Sequence, residues 1–204
     1  MVAVVIFVEG GGDGKHQQIR CREGFHKLLD PMMPRGQRPK INACGSRDEA
    51  YKSFKLACEN PDAGTCYLLL VDAEEPVASG HGPWQHLSKR DPHWKCPAGV
   101  GDDSVHFMAV MTETWLVADP VALADYYGEH FKKGALPKAD NLEEVSKKDV
   151  MDALESATKP TKKKRYAKSH GWELVGKVSP DAIRKRCKRF GKRFLDHIAR
   201  LAGG

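Results

Sequence analysis

The stretch Val2-Ala3-Val4-Val5-Ile6-Phe7-Val8-Glu9-Gly10-Gly11-Gly12-Asp13-Gly14-Lys15 decides the fold. Ala3 to Val8 is an unbroken apolar run rich in β-branched side chains and bounded by glycines, which is how a strand buried on both faces of a parallel sheet reads. It delivers a carboxylate, Glu9, at its C-terminal end, and the glycines that follow let the backbone turn with φ > 0. The carboxyl ends of strands are where open α/β sheets bind ligands. A phosphate-cradling loop requires glycine five residues before the Gly-Lys pair and Ser or Thr after it, but Glu9 and His16 stand there. The dinucleotide spacing G-x-G-x-x-G fails as well, at Lys15 from Gly10 and at Gln17 from Gly12. What remains is a turn that points acid at its ligand, which suits a hydrated cation better than a bare phosphate.

A chain of 204 residues is long enough for one well-buried core, with room for a helical appendage. Its 29% of charged residues is ordinary for a globular protein and argues against wholesale disorder. No apolar run approaches the roughly 20 residues that span a bilayer. The first apolar stretch lacks a basic lead and ends in Glu9, so it does not read as a secretory signal; the expected location is cytoplasmic, with no membrane partner. The six cysteines form no CxxC pair and read as small buried hydrophobes in a reducing compartment. His81, His86, His93 and Cys96 are a weak zinc candidate whose spacing matches no established pattern. The net charge of +6 is concentrated in Lys159–Lys168 and Arg184–Arg193, which is the footprint of a polyanion partner, although a solvated helix face reads the same way.

Working outward, Cys21, Phe25 and Leu28 predict a helix from Lys15 to Leu29 that Pro31 and Pro34 end. A second strand is expected over Lys40–Cys44. Ser46 with Glu49 forms a capping box that opens a helix bearing Tyr51, Phe54 and Cys58. Cys66–Val71 is another continuous apolar strand, and it ends in Asp72-Ala73-Glu74-Glu75. Two buried strands thus end in acid on one sheet edge, where like charges repel unless a cation lies between them. Val77–Asp103 reads as a long loop with a short helix at Trp84–Ser88. Ser104–Met111 reads as a fourth strand running into a helix that Thr112 caps, with Glu113 in its first turn as a further acidic ligand or a macrodipole complement. Short helices are expected in Ala135–Ser156, a loop carrying Tyr166 over Lys159–Lys168, and one long helix from Ser179-Pro180-Asp181 with Ile183, Cys187, Phe190, Phe194, Ile198 and Leu201 on one stripe.

The VEG turn with Glu9 and the acids Asp72 and Glu74 after an apolar strand resemble the TOPRIM domain of topoisomerases, primases and the overcoming-lysogenization-defect nucleases. VEGGGDGK, ACGSRDEAYKSF, LLLVDAE, METWLVADP except that this chain reads Met111-Thr112-Glu113-Thr114-Trp115, and SPDAIRKRCKRF are similar to a small stand-alone TOPRIM-like family catalogued as domain-of-unknown-function forty-two seventy-six. The resemblance implies a Rossmannoid parallel sheet of about four strands in residues 1–130 and a basic helical extension in 131–204. It further implies Glu9 as general acid/base or metal ligand and Asp72 and Glu74 as the Mg2+ or Mn2+ pair, Glu74 departing from the usual aspartate by one methylene. Asp13 and Glu113 would support the metal. Lys15, Lys162, Lys163, Lys164, Arg165, Lys168, Arg184 and Lys188 are the expected nucleic-acid contacts.

The implied function is metal-dependent hydrolysis of DNA or RNA phosphodiesters, as the effector of a prokaryotic anti-phage system. The alternative is a non-catalytic partner or sensor subunit of an ABC/SMC-type ATPase, and a homodimer is compatible with either. The hydrolytic reading demands that Glu9 lie within water-bridged reach of Asp72 and that no arginine or lysine already neutralise the acids.

Overall fold

Four apolar runs become four parallel strands in the computed structural model, which describes residues 2–12, 14–34 and 36–203. Asp13, expected to support a metal, lies outside the described residues. The sheet has the order β2-β1-β3-β4, with β1 (Ala3–Gly11) paired on one side to β2 (Lys40–Gly45) and on the other to β3 (Thr65–Asp72), and β4 (Val105–Met108) at the edge. The chain steps outward from β1 to β2 and then returns to the other side of β1 for β3. The strand order therefore reverses between β1 and β3, and their C-terminal ends flank the crevice where such sheets bind ligands.

Alternation along the strands sorts the core into two layers. Ile6, Val8, Leu68, Leu70 and Met108 face one side, while Phe7, Leu69, Val71, Val105 and Phe107 face the other. On the first side α1 (Lys15–Leu29) buries Cys21, Phe25 and Leu28, the positions its spacing predicts. On the second, α2 (Arg47–Glu59) buries Ala50, Tyr51 and Phe54, and the Ser46 hydroxyl accepts the Glu49 N–H as the capping box requires.

The stretch after β3 corrects two expectations. The anticipated short helix is a full α3 (Pro83–Arg90), started by proline at its first turn and anchored by buried His86 and Leu87. The zinc candidates disperse: the His86 Nε2 pairs with the Ala73 carbonyl, the His93 Nε2 with Asp48, and the Cys96 thiol with the Val100 carbonyl. The fourth strand is also shorter than predicted: the 3-10 turn Asp102–Ser104 takes its first residue, and Ala109–Met111 leave the strand at its end. Beyond Met108 the contact with β3 persists irregularly, through the Glu74 N–H to the Val110 carbonyl at 2.6 Å.

Met111, and not Thr112, occupies the cap position of α4 (Thr112–Ala118). The Asp119 carboxylate caps α5 (Pro120–Tyr127) through the N–H groups of Val121 and Ala122, and its other oxygen accepts the Ser179 N–H, binding two distant turns together. The expected short helices resolve into α6 (Lys147–Thr158), capped by Ser146. An unanticipated α7 (Lys168–Val175) follows the basic run. The long terminal helix is in fact two, α8 (Pro180–Arg186) and α9 (Phe190–Gly203). Its apolar stripe stays buried from Ile183 to Ile198, with Leu201 half-buried, but the buried Glu143 carboxylate accepts the N–H groups of Arg189, Phe190 and Gly191 and so starts a new helix there. Leu154, Leu174, Phe194 and Ile198 from these helices share one apolar cluster with Ile6 and Leu68. Among the described residues, no helix is long and apolar enough to cross a membrane.

Candidate metal centre

At the crevice, one carboxylate oxygen from each of Glu9, Asp72 and Glu74 lies within 4.8 Å of the others. That is the span of one hydrated divalent ion, and an all-oxygen donor set of this kind suits the hard cations Mg2+ or Mn2+. Glu9 arrives on β1, Asp72 closes β3, and Glu74 stands two residues beyond with φ of +69°, a left-handed backbone that a side chain adopts only when its surroundings hold it. The β3–β4 contact through its N–H and the Lys147 ammonium on its carboxylate do that here.

Each carboxylate commits one oxygen to the protein. Glu9 Oε2 accepts the Asp72 N–H at 3.0 Å and an Arg47 Nη1 donor at 3.2 Å. Asp72 Oδ1 accepts the Thr112 N–H at 2.9 Å, and Glu74 Oε2 accepts from Lys147. The second oxygens, Glu9 Oε1, Asp72 Oδ2 and Glu74 Oε1, make no hydrogen bond among the described residues. Ligands fixed through one oxygen with the other free are what a preorganised cation site requires.

The first condition on the hydrolytic reading is therefore met. The second is met only in part, which corrects the expectation of an un-neutralised cluster. Arg47 divides its guanidinium between Glu9 and Asp91, and Lys147 pairs with Glu74. The Asp72 carboxylate has no basic partner among the described residues, although the Asp72 carbonyl accepts from Arg47 Nη1. The electrostatics follow from this. Burial, with Glu9, Glu113 and Glu74 close by, raises the Asp72 carboxyl well above the usual range against the Thr112 hydrogen bond. Burial also raises Glu9, with Arg47 opposing. Glu74 is lowered, because Lys147 outweighs its burial. The cluster keeps a net demand for positive charge, centred on Asp72.

A cavity of about 400 Å3 opens beside the acids, and Glu9, Asp72, Glu113, Tyr166, Lys168 and Trp172 are among the residues that line it. Glu113, expected as a third or fourth ligand, stands beside the cluster and not in it; its Oε1 accepts the Tyr166 hydroxyl at 2.8 Å. Burial and the Glu113 charge push the Tyr166 phenol far above its ordinary range, so it remains a donor.

A family model matches residues 8–199, nearly the whole chain. The chain belongs to the family described as Domain of unknown function (DUF4276). No curated protein and no solved structure matches it. In this DUF4276 chain the match takes in Glu9, Asp72, Glu74 and the helices that close the cavity.

The expected nucleic-acid contacts do not converge. Lys168 alone of them lines the cavity. Lys162 and Arg165 pair with Glu129 and Glu155, and the Lys163 ammonium lies over the Tyr126 ring. Lys164 and Lys15 are exposed, without an ion pair among the described residues. Arg184 is held by Asp181 and Asp196, and Lys188 by Asp140. Their neighbours Arg186, Arg189 and Arg193 donate to backbone carbonyls, including those of Pro137, Val77 and Val105. Much of the basic C-terminal charge thus stitches loops together.

Arg47 and Lys147 escaped the sequence reading. Arg47 sits in the first turn of a capping-box helix, where a basic residue normally faces water, and Glu9, the Asp72 carbonyl, Asp91 and Trp94, all distant along the chain, make it internal. No local signal marks it.

Proposed function

We propose that this chain is a Mg2+- or Mn2+-dependent phosphodiesterase acting on nucleic acid. The observation that carries the proposal is the meeting of Glu9, Asp72 and Glu74 at the switch point of the sheet, each with one oxygen held and one free. A divalent ion bound there would neutralise charge building on a phosphodiester and supply activated water. The protein's own part is to orient the ligands: β1 and β3 fix Glu9 and Asp72, while Arg47 holds Glu9 from behind. The resemblance to TOPRIM nucleases supports this reading, and with it a role as the effector of an anti-phage system. The test is cleavage of plasmid DNA and tRNA with Mn2+, alongside calorimetry. Activity that persists unchanged in Glu9→Gln and Asp72→Asn removes these residues from the mechanism.

One observation favours a second reading, a non-catalytic subunit of an ABC/SMC-type ATPase: Glu9 and Glu74 already hold internal cations. Absent Mn2+ binding together with a stable ATPase complex would establish it.

A further inference from the structure

Resting on the metal-dependent reading above, we infer that the cavity beside the acids is a subsite for one unpaired nucleotide, so that the substrate is single-stranded or frayed nucleic acid and not a continuous duplex. At about 400 Å3 the cavity lies near the small end of ligand pockets, roughly 300–1,000 Å3, which fits a single nucleotide unit and not a paired stretch.

Its walls are not free to widen. The Trp172 ring is seated directly on Gly10, the residue after Glu9, so closely that a Cβ there would collide with the ring. The Trp172 carbonyl lies equally close over Gly24 of α1, and the ring packs 6.0 Å from Phe25. Opening the cavity to a duplex would require α7 to leave α1 and expose that apolar contact. A phosphodiester whose neighbours are base-paired is therefore not accommodated in the cavity beside Glu9 and Asp72, whereas an extruded nucleotide or a chain end is. The lining is consistent with such a guest: Trp172 offers an aromatic surface of the kind on which bases stack, and Lys168, the one basic residue lining the cavity among those described, offers a cation for phosphate. Stacking and one charge carry no base code, so little sequence preference is expected.

The experiment measures binding of three labelled oligonucleotides by anisotropy in Ca2+: an unpaired 12-mer, the same sequence as a blunt duplex, and that duplex with an unpaired overhang. The unpaired strand and the overhang should bind at least tenfold tighter than the blunt duplex, and Lys168→Ala, a change at an exposed position, should weaken the unpaired strand several-fold. Trp172→Leu should weaken it further, provided circular dichroism shows that the variant is folded. Equal or tighter binding of the blunt duplex, no detectable binding of the unpaired strand, or an unchanged affinity in Lys168→Ala overturns the subsite. Mn2+ calorimetry on the same protein separates the two claims: metal binding with duplex preference removes only the subsite, while absent metal binding removes the hydrolytic reading beneath it.

Discussion

Arg47 donates through Nε and Nη2 to Asp91, at 3.1 and 2.8 Å, and through Nη1 to Glu9 and to the Asp72 carbonyl, with Trp94 covering its guanidinium face. Such an ion is costly to remove, because its acids stay behind in a partly dry site. Arg47→Met should destabilise the metal-free protein by about 3 kcal/mol, as breaking buried ion pairs does, and Mn2+ should restore part of the loss; urea denaturation with and without Mn2+ checks both halves. Asp72 predicts the opposite sign. Its folded carboxyl titrates above the ordinary value of about 3.9, so the folded state binds the proton more tightly than the unfolded one, and metal-free stability falls as pH rises from about 4 through the folded value. Glu9 acts in the same direction, whereas Glu74, lowered by Lys147, stabilises above about pH 4.3 and loses that as pH drops. Asp72→Asn keeps an oxygen for the Thr112 N–H and removes the repulsion. It should raise the neutral-pH Tm without metal by roughly 2–4 °C for each kcal/mol relieved and flatten the pH dependence above 4. A lower Tm at pH 7 would show that the carboxylate is stabilised by something other than a missing cation.

At the scale of elements, α7 decides whether a cavity exists at all. Gly10, with φ of +146°, and Gly24 exist for Trp172: the first admits its ring and the second its carbonyl. Gly10→Ala adds a side chain where neither the backbone angle nor the space allows one, so it should cost at least about 2 kcal/mol and loosen α7. Hydrogen exchange at Leu174 and Val175 should rise before the strands are affected, and unchanged protection there would refute the docking role. This helix also shows what the sequence conceals. The strands β1 and β3 and the helices α1 and α2 were legible because continuous apolar runs, 3.6-residue spacing and a capping box are local signals. α7, by contrast, follows a basic run, contains Gly171 and has no side-chain cap, and it is stabilised by Trp172 meeting residues some 150 positions earlier. The break between α8 and α9 was hidden for the same reason: the apolar stripe runs through it unaltered, and the cause, Glu143, is remote in sequence.

For the molecule as a whole, the 2-1-3-4 strand order converts two separate acid-ended strands into neighbours, which is why Glu9, Asp72 and Glu74 were readable as a set while Arg47 and Lys147, the cations that partly answer them, were not. The basic segments carry a second use that composition cannot distinguish: Arg186, Arg189 and Arg193, in a run that reads as a footprint for a polyanion, are engaged with the protein's own carbonyls. Because the centre joins β1 to β3 across the middle of the sheet, a divalent ion that binds only the folded protein stabilises the entire domain and not one loop. Mass action sets the size: at a hundred times Kd the gain is about 2.7 kcal/mol, which for a chain of this length is roughly 5–11 °C in Tm. The gain should shrink as pH falls, because a divalent ion must then displace protons from Asp72 and Glu9, whose carboxyls are both raised. Scanning fluorimetry with Mn2+ at successively lower pH measures it. A shift that persists in Glu9→Gln and Asp72→Asn, or one that grows as pH falls, would place the ion elsewhere on the molecule.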